Sequence, residues 1–172
     1  MKKTVLTLLT SLLFLAFTKG HNSKAVPGEV NCIDDIPVYD FGALEPLLYT
    51  DSEKTHIVNF WAMWCAPCVK ELPVFKEYAK NHPDVEMVFV SLDFPEDIET
   101  KLKPFLKKKG ITSKVVLLDD PDSNSWIDKI NPNWSGAIPF TIIFNHKNRS
   151  FYEHTFENIQ ELQNEVTKTI NN

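Results

Sequence analysis

Two nearly uninterrupted apolar runs organise the chain. Thr55 to Trp61 and Val85 to Leu92 are rich in β-branched and aromatic residues, which suits strands buried on both faces. Between them, Ala66 to Asn81 places Val69, Leu72, Phe75 and Tyr78 or Ala79 at helical spacing, giving one apolar helix face. Strand, helix and strand with short joins make a βαβ unit, with parallel strands and a right-handed crossover. Pro95 to Lys109 is again amphipathic through Ile98, Leu102, Phe105 and Leu106. Pro104 predicts a kink or a split there, because proline lacks an N–H and crowds the preceding turn. Ser113 to Leu118 reads as another strand, and the turn-rich stretch 119–133 has room for a short helix around Trp126 and Ile130. Phe140 to Phe144 and Ser150 to Thr155 are strands whose short join, Asn145 to Arg149, predicts an antiparallel hairpin. Ile159, Leu162, Val166 and Ile170 mark the apolar face of a closing helix. Upstream, Ile36 to Phe41 suits an edge strand and Gly42 to Tyr49 a short helix. A βαβ half thus precedes a ββα half, with residues 95–130 as an insert. The expected class is an α/β sandwich, a mixed central sheet flanked by helices.

The N-terminus follows a different pattern. Lys2 and Lys3 precede a mostly apolar run, Val5 to Phe17, and Ser23-Lys24-Ala25 offers small residues for cleavage. These are the parts of a secretory signal, predicting a signal peptide at 1–25 and one domain at 26–172. A retained anchor is the alternative, but the run is shorter than the roughly 20 residues that span a bilayer. The expected location is extracytoplasmic, in the periplasm for a bacterial protein. Cleavage would remove four lysines and no acid, taking the formal charge from −5 to −9. That balance excludes a basic nucleic-acid footprint. Lys107-Lys108-Lys109, the one basic cluster, suits a solvated helix end.

Three cysteines, Cys32, Cys65 and Cys68, are too few for a disulfide scaffold. The close pair, Trp64-Cys65-Ala66-Pro67-Cys68, falls where the first strong strand hands over to a helix. Free N–H groups and the positive dipole end favour a thiolate at Cys65, and two intervening residues bring the sulfurs within bonding range. Cys68, one turn inside, is expected to be more buried. A zinc site is a poor alternative, since Cys32 is the only other thiol and neither His56 nor His82 stands at ligand spacing. An inert staple would be weak, because so short a loop closes little chain entropy. Cys32 follows no lipidation box and reads as a structural or stray thiol. The five histidines, His21, His56, His82, His146 and His154, read as surface groups. Trp61 and Trp64 are expected to frame the dithiol, with Trp126 and Trp134 packing the insert.

Asn59-Phe60-Trp61-Ala62-Met63-Trp64-Cys65-Ala66-Pro67-Cys68 resembles the active-site strand and turn of thioredoxins. Pro73 matches the helix-kinking proline of that superfamily, and Ala137-Ile138-Pro139-Phe140-Thr141 is similar to its cis-proline loop. The export signal, the insert and Glu71, three residues after Cys68, look most like the exported TlpA/ResA-type branch. The resemblance implies a thioredoxin-like fold and a thiol–disulfide oxidoreductase with Cys65 and Cys68 as a redox-active disulfide. It implies Glu71 as proton acceptor for Cys68, where cytoplasmic thioredoxins bury an acid at the position of Asn59. A solvated helix glutamate is the alternative. It makes Trp64, Ile138 and a cis Pro139 substrate-binding residues. Protein disulfides would be the substrates, apocytochrome c cysteines among them, and a membrane or periplasmic dithiol protein the electron donor. No flavin, nicotinamide or metal motif accompanies these residues, so no cofactor is expected, and a monomer is. A peroxiredoxin-type peroxidase lacks its Thr-x-x-Cys motif here. A copper carrier would need a downstream histidine, for which His146 and His154 are the candidates.

Overall fold

The chain folds in the order β1 (Val38–Tyr39), α1 (Phe41–Leu48), β2 (His56–Trp61), α2 (Ala66–Asn81), β3 (Glu86–Ser91), α3 (Lys103–Lys109), β4 (Lys114–Leu118), α4 (Ser123–Ile130), β5 (Phe140–Phe144), β6 (Arg149–Tyr152) and α5 (Ile159–Asn171). This computed structural model describes residues 35–171; the predicted signal segment, His21 and Cys32 lie outside them. One six-stranded sheet runs β1-β4-β3-β2-β5-β6. β1, β4, β3 and β2 are parallel, and β5 is antiparallel to both β2 and β6. The class read from the sequence, a mixed sheet flanked by helices, is the one found.

β2 is buried at every position because both faces of the sheet are covered. Its alternation sorts residues between two cores. Ile57 and Trp61 face Leu72, Phe75 and Tyr78 of α2, Leu106 of α3, and Leu162 and Val166 of α5. Val58 and Phe60 pack with Phe41, Leu44 and Leu48 of α1, Trp126 and Ile130 of α4, and Trp134. Apolar spacing in each helix thus becomes a helix–sheet–helix sandwich with the redox segment at the C-terminal end of its central strand.

Residues 95–130 enter the sheet: β4 lies between β1 and β3. Ahead of it, Pro104 acts as its chemistry requires. A 3₁₀ turn at Pro95–Asp97 leads into a wider turn at Ile98–Leu102, closed by the Lys103 N–H on the Ile98 carbonyl five residues back. Pro104 then sits in the first turn of α3, where its missing N–H costs nothing. Gly110 ends that helix at φ 66°, the left-handed conformation glycine adopts freely.

Three expectations need correction. β1 has two residues instead of six, because Pro37 contributes no N–H and Asp40 already caps α1, accepting from the Ala43 N–H at 2.8 Å. β6 runs over Arg149–Tyr152 instead of Ser150 to Thr155. Trp61, stacked against Phe89 and Phe105, shares one buried core with Cys65 and Cys68, as expected of a residue framing the dithiol. His56 is no surface group. As the first residue of β2 it pairs with Phe144 on β5, and the two rings stack 4.9 Å apart. The next strand places Arg149 opposite Phe144, its guanidinium 4.4 Å from the Phe144 ring and 4.5 Å from that of Tyr49. Desolvation lowers the pKa of His56 and of Arg149.

Candidate active site

β2 passes into α2 through Ala62, Met63 and Trp64, and Cys65 is the N-cap of α2 in extended backbone conformation. Cys65 and Cys68 are joined as a disulfide, their Cα atoms 5.3 Å apart. The Cys68 N–H points at Cys65 Sγ across 3.2 Å, so one of the free donors of the first helical turn serves the outer sulfur. Cys68 is completely buried and Cys65 is 6% exposed, leaving Cys65 as the sulfur an incoming group can reach. Trp64 beside it is 63% exposed.

The loop before β5 closes over this helix end. The Ile138–Pro139 peptide bond is cis, and the Ile138 carbonyl oxygen lies 3.6 Å from Cys65 Sγ. Trp134 anchors that loop, stacking on Phe140 at 4.0 Å and donating from its indole N–H to the Ala137 carbonyl at 2.8 Å. Gly136 adopts φ 86°, where a Cβ would meet Ile127 Cδ1 at 3.1 Å. Both conformation and space reserve the position for glycine. Trp134 also packs against Trp126 of the insert, as the sequence suggested, with ring centres 5.8 Å apart, so it joins the insert to the proline loop.

Behind the disulfide, Glu71 occupies the turn of α2 after Cys68 and has no exposed surface, which removes the solvated-glutamate alternative. Its Oε1 accepts from Asn59 Nδ2 at 2.8 Å and its Oε2 from the Phe156 N–H at 2.9 Å. Asn59 Nδ2 also donates to Thr141 Oγ1 at 3.0 Å, while Asn59 Oδ1 is buried without a protein partner. Burial raises the Glu71 pKa from 4.5 to about 7. The Phe156 and Asn59 donors pull against that rise, and Glu161 and Glu157 add to it. An acid that titrates near neutrality, one helical turn from a buried sulfur, is chemically equipped to exchange a proton with it.

Thr141 was missed, although a signal existed. HIVNFW and FTIIF each contain one polar residue inside an apolar strand, and the β2–β5 register pairs them, Asn59 with Thr141. Asp93 was missed too. Both its carboxylate oxygens lie 3.1 Å from the Met63 N–H and accept from it, and Ser91 Oγ donates to Oδ2 at 2.8 Å. The segment leading to Cys65 is thereby tied to the end of β3. Burial raises the Asp93 pKa, offset by the Ser91 and Met63 donors and reinforced by Asp97.

Among the described residues no group of three or more His, Cys, Asp or Glu is placed to hold a metal ion, and no helix is long and apolar enough to cross a membrane. His146 lies 3.7 Å from Glu53 and His154 3.5 Å from Glu161, so each has a carboxylate neighbour.

Residues 53–151 match the family model for thioredoxin-like proteins. Over 67 residues the chain is 39% identical to sporulation thiol-disulfide oxidoreductase A of Bacillus subtilis, covering 38% of this chain and 40% of that protein. Over 117 residues it is 26% identical to thiol-disulfide oxidoreductase ResA of Geobacillus kaustophilus, covering 66% and 64%. The chain spans about half the length of the curated relatives it matches. Among solved structures, StoA from Bacillus subtilis is similar with a TM-score of 0.51 at 27% identity, over 68% of this chain and 84% of that one. A thioredoxin-related protein from Neisseria meningitidis serogroup B gives 0.56 at 26% identity, over 69% and 86%. With the family model spanning more than half of its length, and with relatives of the StoA and ResA kind, the chain belongs to the thioredoxin-like family.

Proposed function

We propose that this protein is an extracytoplasmic thiol–disulfide oxidoreductase that reduces disulfides in other proteins. The observation that carries the reading is the Cys65–Cys68 disulfide at the start of α2, with Glu71 buried one turn behind it. In the reduced protein the Cys65 thiolate attacks a substrate disulfide, and one substrate sulfur leaves as a thiol. Cys68 then gives its proton to the Glu71 carboxylate and attacks Cys65 Sγ, which expels the second substrate sulfur. Two electrons pass to the substrate and the protein is left in the disulfide state. Trp64, Ile138 and Pro139 are the residues a substrate chain would lie against, the backbone at Ile138 being available to pair with an extended segment.

Electrons would return from a membrane or periplasmic dithiol protein, and the reducing direction follows from Ala66-Pro67. That dipeptide supplies neither charge nor side-chain donor, so it stabilises a thiolate weakly, and a weakly stabilised thiolate makes a less oxidising couple. Export through residues 1–25, action as a monomer and apocytochrome c as one substrate belong to the same proposal, supported by the signal-like N-terminus and the likeness to ResA-type proteins.

The test is chemical trapping. Replacing Cys68 by Ser in the full chain should yield mixed disulfides with extracytoplasmic proteins, all through Cys65. Equilibration with glutathione should give a potential near or below roughly −200 mV. A value above about −150 mV would make the protein a disulfide donor instead.

A further inference from the structure

We propose that Phe94 is a specificity-determining residue, docking an apolar side chain of the substrate polypeptide beside its disulfide. The inference rests on the oxidoreductase reading and names the class of disulfide that the site prefers.

Phe94 is 59% exposed and is the only exposed phenylalanine among the described residues. A single exposed ring needs no explanation of its own, so a reason to assign it a task must come from where it sits. Its location supplies one. The Asp93 carboxylate accepts from the Met63 N–H, so the end of β3 and the segment before Cys65 are tied together at that point. Phe94 is the next residue on one side of the tie, and Trp64, 63% exposed, is the next on the other. Two exposed rings therefore leave adjoining backbone segments immediately ahead of the reactive cysteine.

The backbone under Phe94 is also fixed. Pro95 holds the residue before it extended, and Phe94 sits at φ −89° and ψ 142°. Its carbonyl accepts from the Asp97 N–H at 2.9 Å, and the Asp93 N–H donates to Ser91 Oγ at 3.1 Å. A ring on such a base loses little freedom when a partner covers it, which is how aromatic residues come to dominate binding energy. The one charged group in Leu92-Asp93-Phe94-Pro95, the Asp93 carboxylate, is buried and bonded to Met63 and Ser91, so selectivity at this wall comes from apolar contact. The preferred occupant is a polypeptide with a large apolar residue next to its cystine, as is found where a disulfide is exposed by incomplete folding.

Two synthetic disulfide peptides test this, alike except for Leu or Ser beside one cysteine. The reduced full-length protein should favour the Leu peptide. Phe94→Ser should lower the ratio of kcat/KM for the Leu over the Ser peptide by about tenfold, mainly through KM, as expected for loss of one apolar contact. Phe94→Leu should keep most of that ratio. A ratio unchanged in Phe94→Ser, or lost equally in Phe94→Leu, overturns the inference while leaving the oxidoreductase reading intact. Wild-type protein that reduces neither peptide overturns that reading, and this inference with it.

Discussion

The two ends of β2 both bury ionisable groups, and each leaves at least one polar atom without a protein partner, yet they differ in what surrounds those groups. At the N-terminal end, His56, Phe144 and Arg149 stack across three strands, and His56 Nε2 and Arg149 Nη1 lack hydrogen bonds. At the C-terminal end, Asn59, Thr141 and the Phe156 amide surround Glu71 beneath the disulfide. The first cluster rests its charge on ring faces and has no reacting group beside it, so its titration is expected to change stability alone. The second gives a carboxyl two N–H donors, enough to keep it titratable near pH 7 in a buried place. Burial by itself does not mark a working residue. A reactive neighbour and a pKa within the working range are what make Glu71 the candidate.

The comparison breaks first at the sulfurs. Cys65→Ser should abolish disulfide exchange altogether, and in the reduced protein Cys65 should alkylate well before Cys68, read by mass spectrometry after a short pulse. Equal rates would remove the case for activation by the helix end.

Glu71→Gln should slow turnover by about 10- to 100-fold, because a local base is lost. Wild-type turnover should rise with pH through an inflection near 7, the pKa of the buried carboxyl, and the variant should lose that inflection. A profile shared by both proteins would return Glu71 to a structural role.

The same residue makes a stability prediction. Folded Glu71 holds its proton up to about pH 7, whereas the unfolded chain releases it near 4.5. Its contribution is therefore complete below pH 4.5 and lost as pH rises through 7, on the order of 3 kcal/mol over that window. Urea titrations should show wild type losing this increment between pH 4.5 and 7 and Glu71→Gln losing none of it.

At the opposite end the sign reverses and the effect shrinks. The lowered pKa of His56 means that its contribution is present above 6.5 and is lost on acidification. His56→Leu should flatten the acid limb of the melting curve and leave turnover within about twofold of wild type. A large loss of activity would mean that the two ends are coupled.

Much of the fold was legible because its periodicities are strong. α2 runs over Ala66–Asn81 as its spacing predicts, and the βαβ unit and hairpin follow from uninterrupted apolar runs with short joins. The cysteine pair was legible for the same reason, as a local motif at a strand-to-helix junction. What escaped depends on register. Nothing local ties Thr141 to Asn59, 82 residues away, or Asp93 to Met63 across the ends of two strands. His56 was misread because a polar residue opening a strand is exposed in most surroundings, and only its pairing with Phe144 buries it.

The outer strands of the sheet carry one more consequence. β1 offers two residues and β6 four, the shortest strands in the fold, flanking four longer ones. Unpaired backbone at a sheet margin is a template on which a foreign segment can polymerise. A protein proposed to meet incompletely folded chains works among such segments constantly. If clients are held at the proline loop as proposed, truncated margins would deny them a place to continue the sheet.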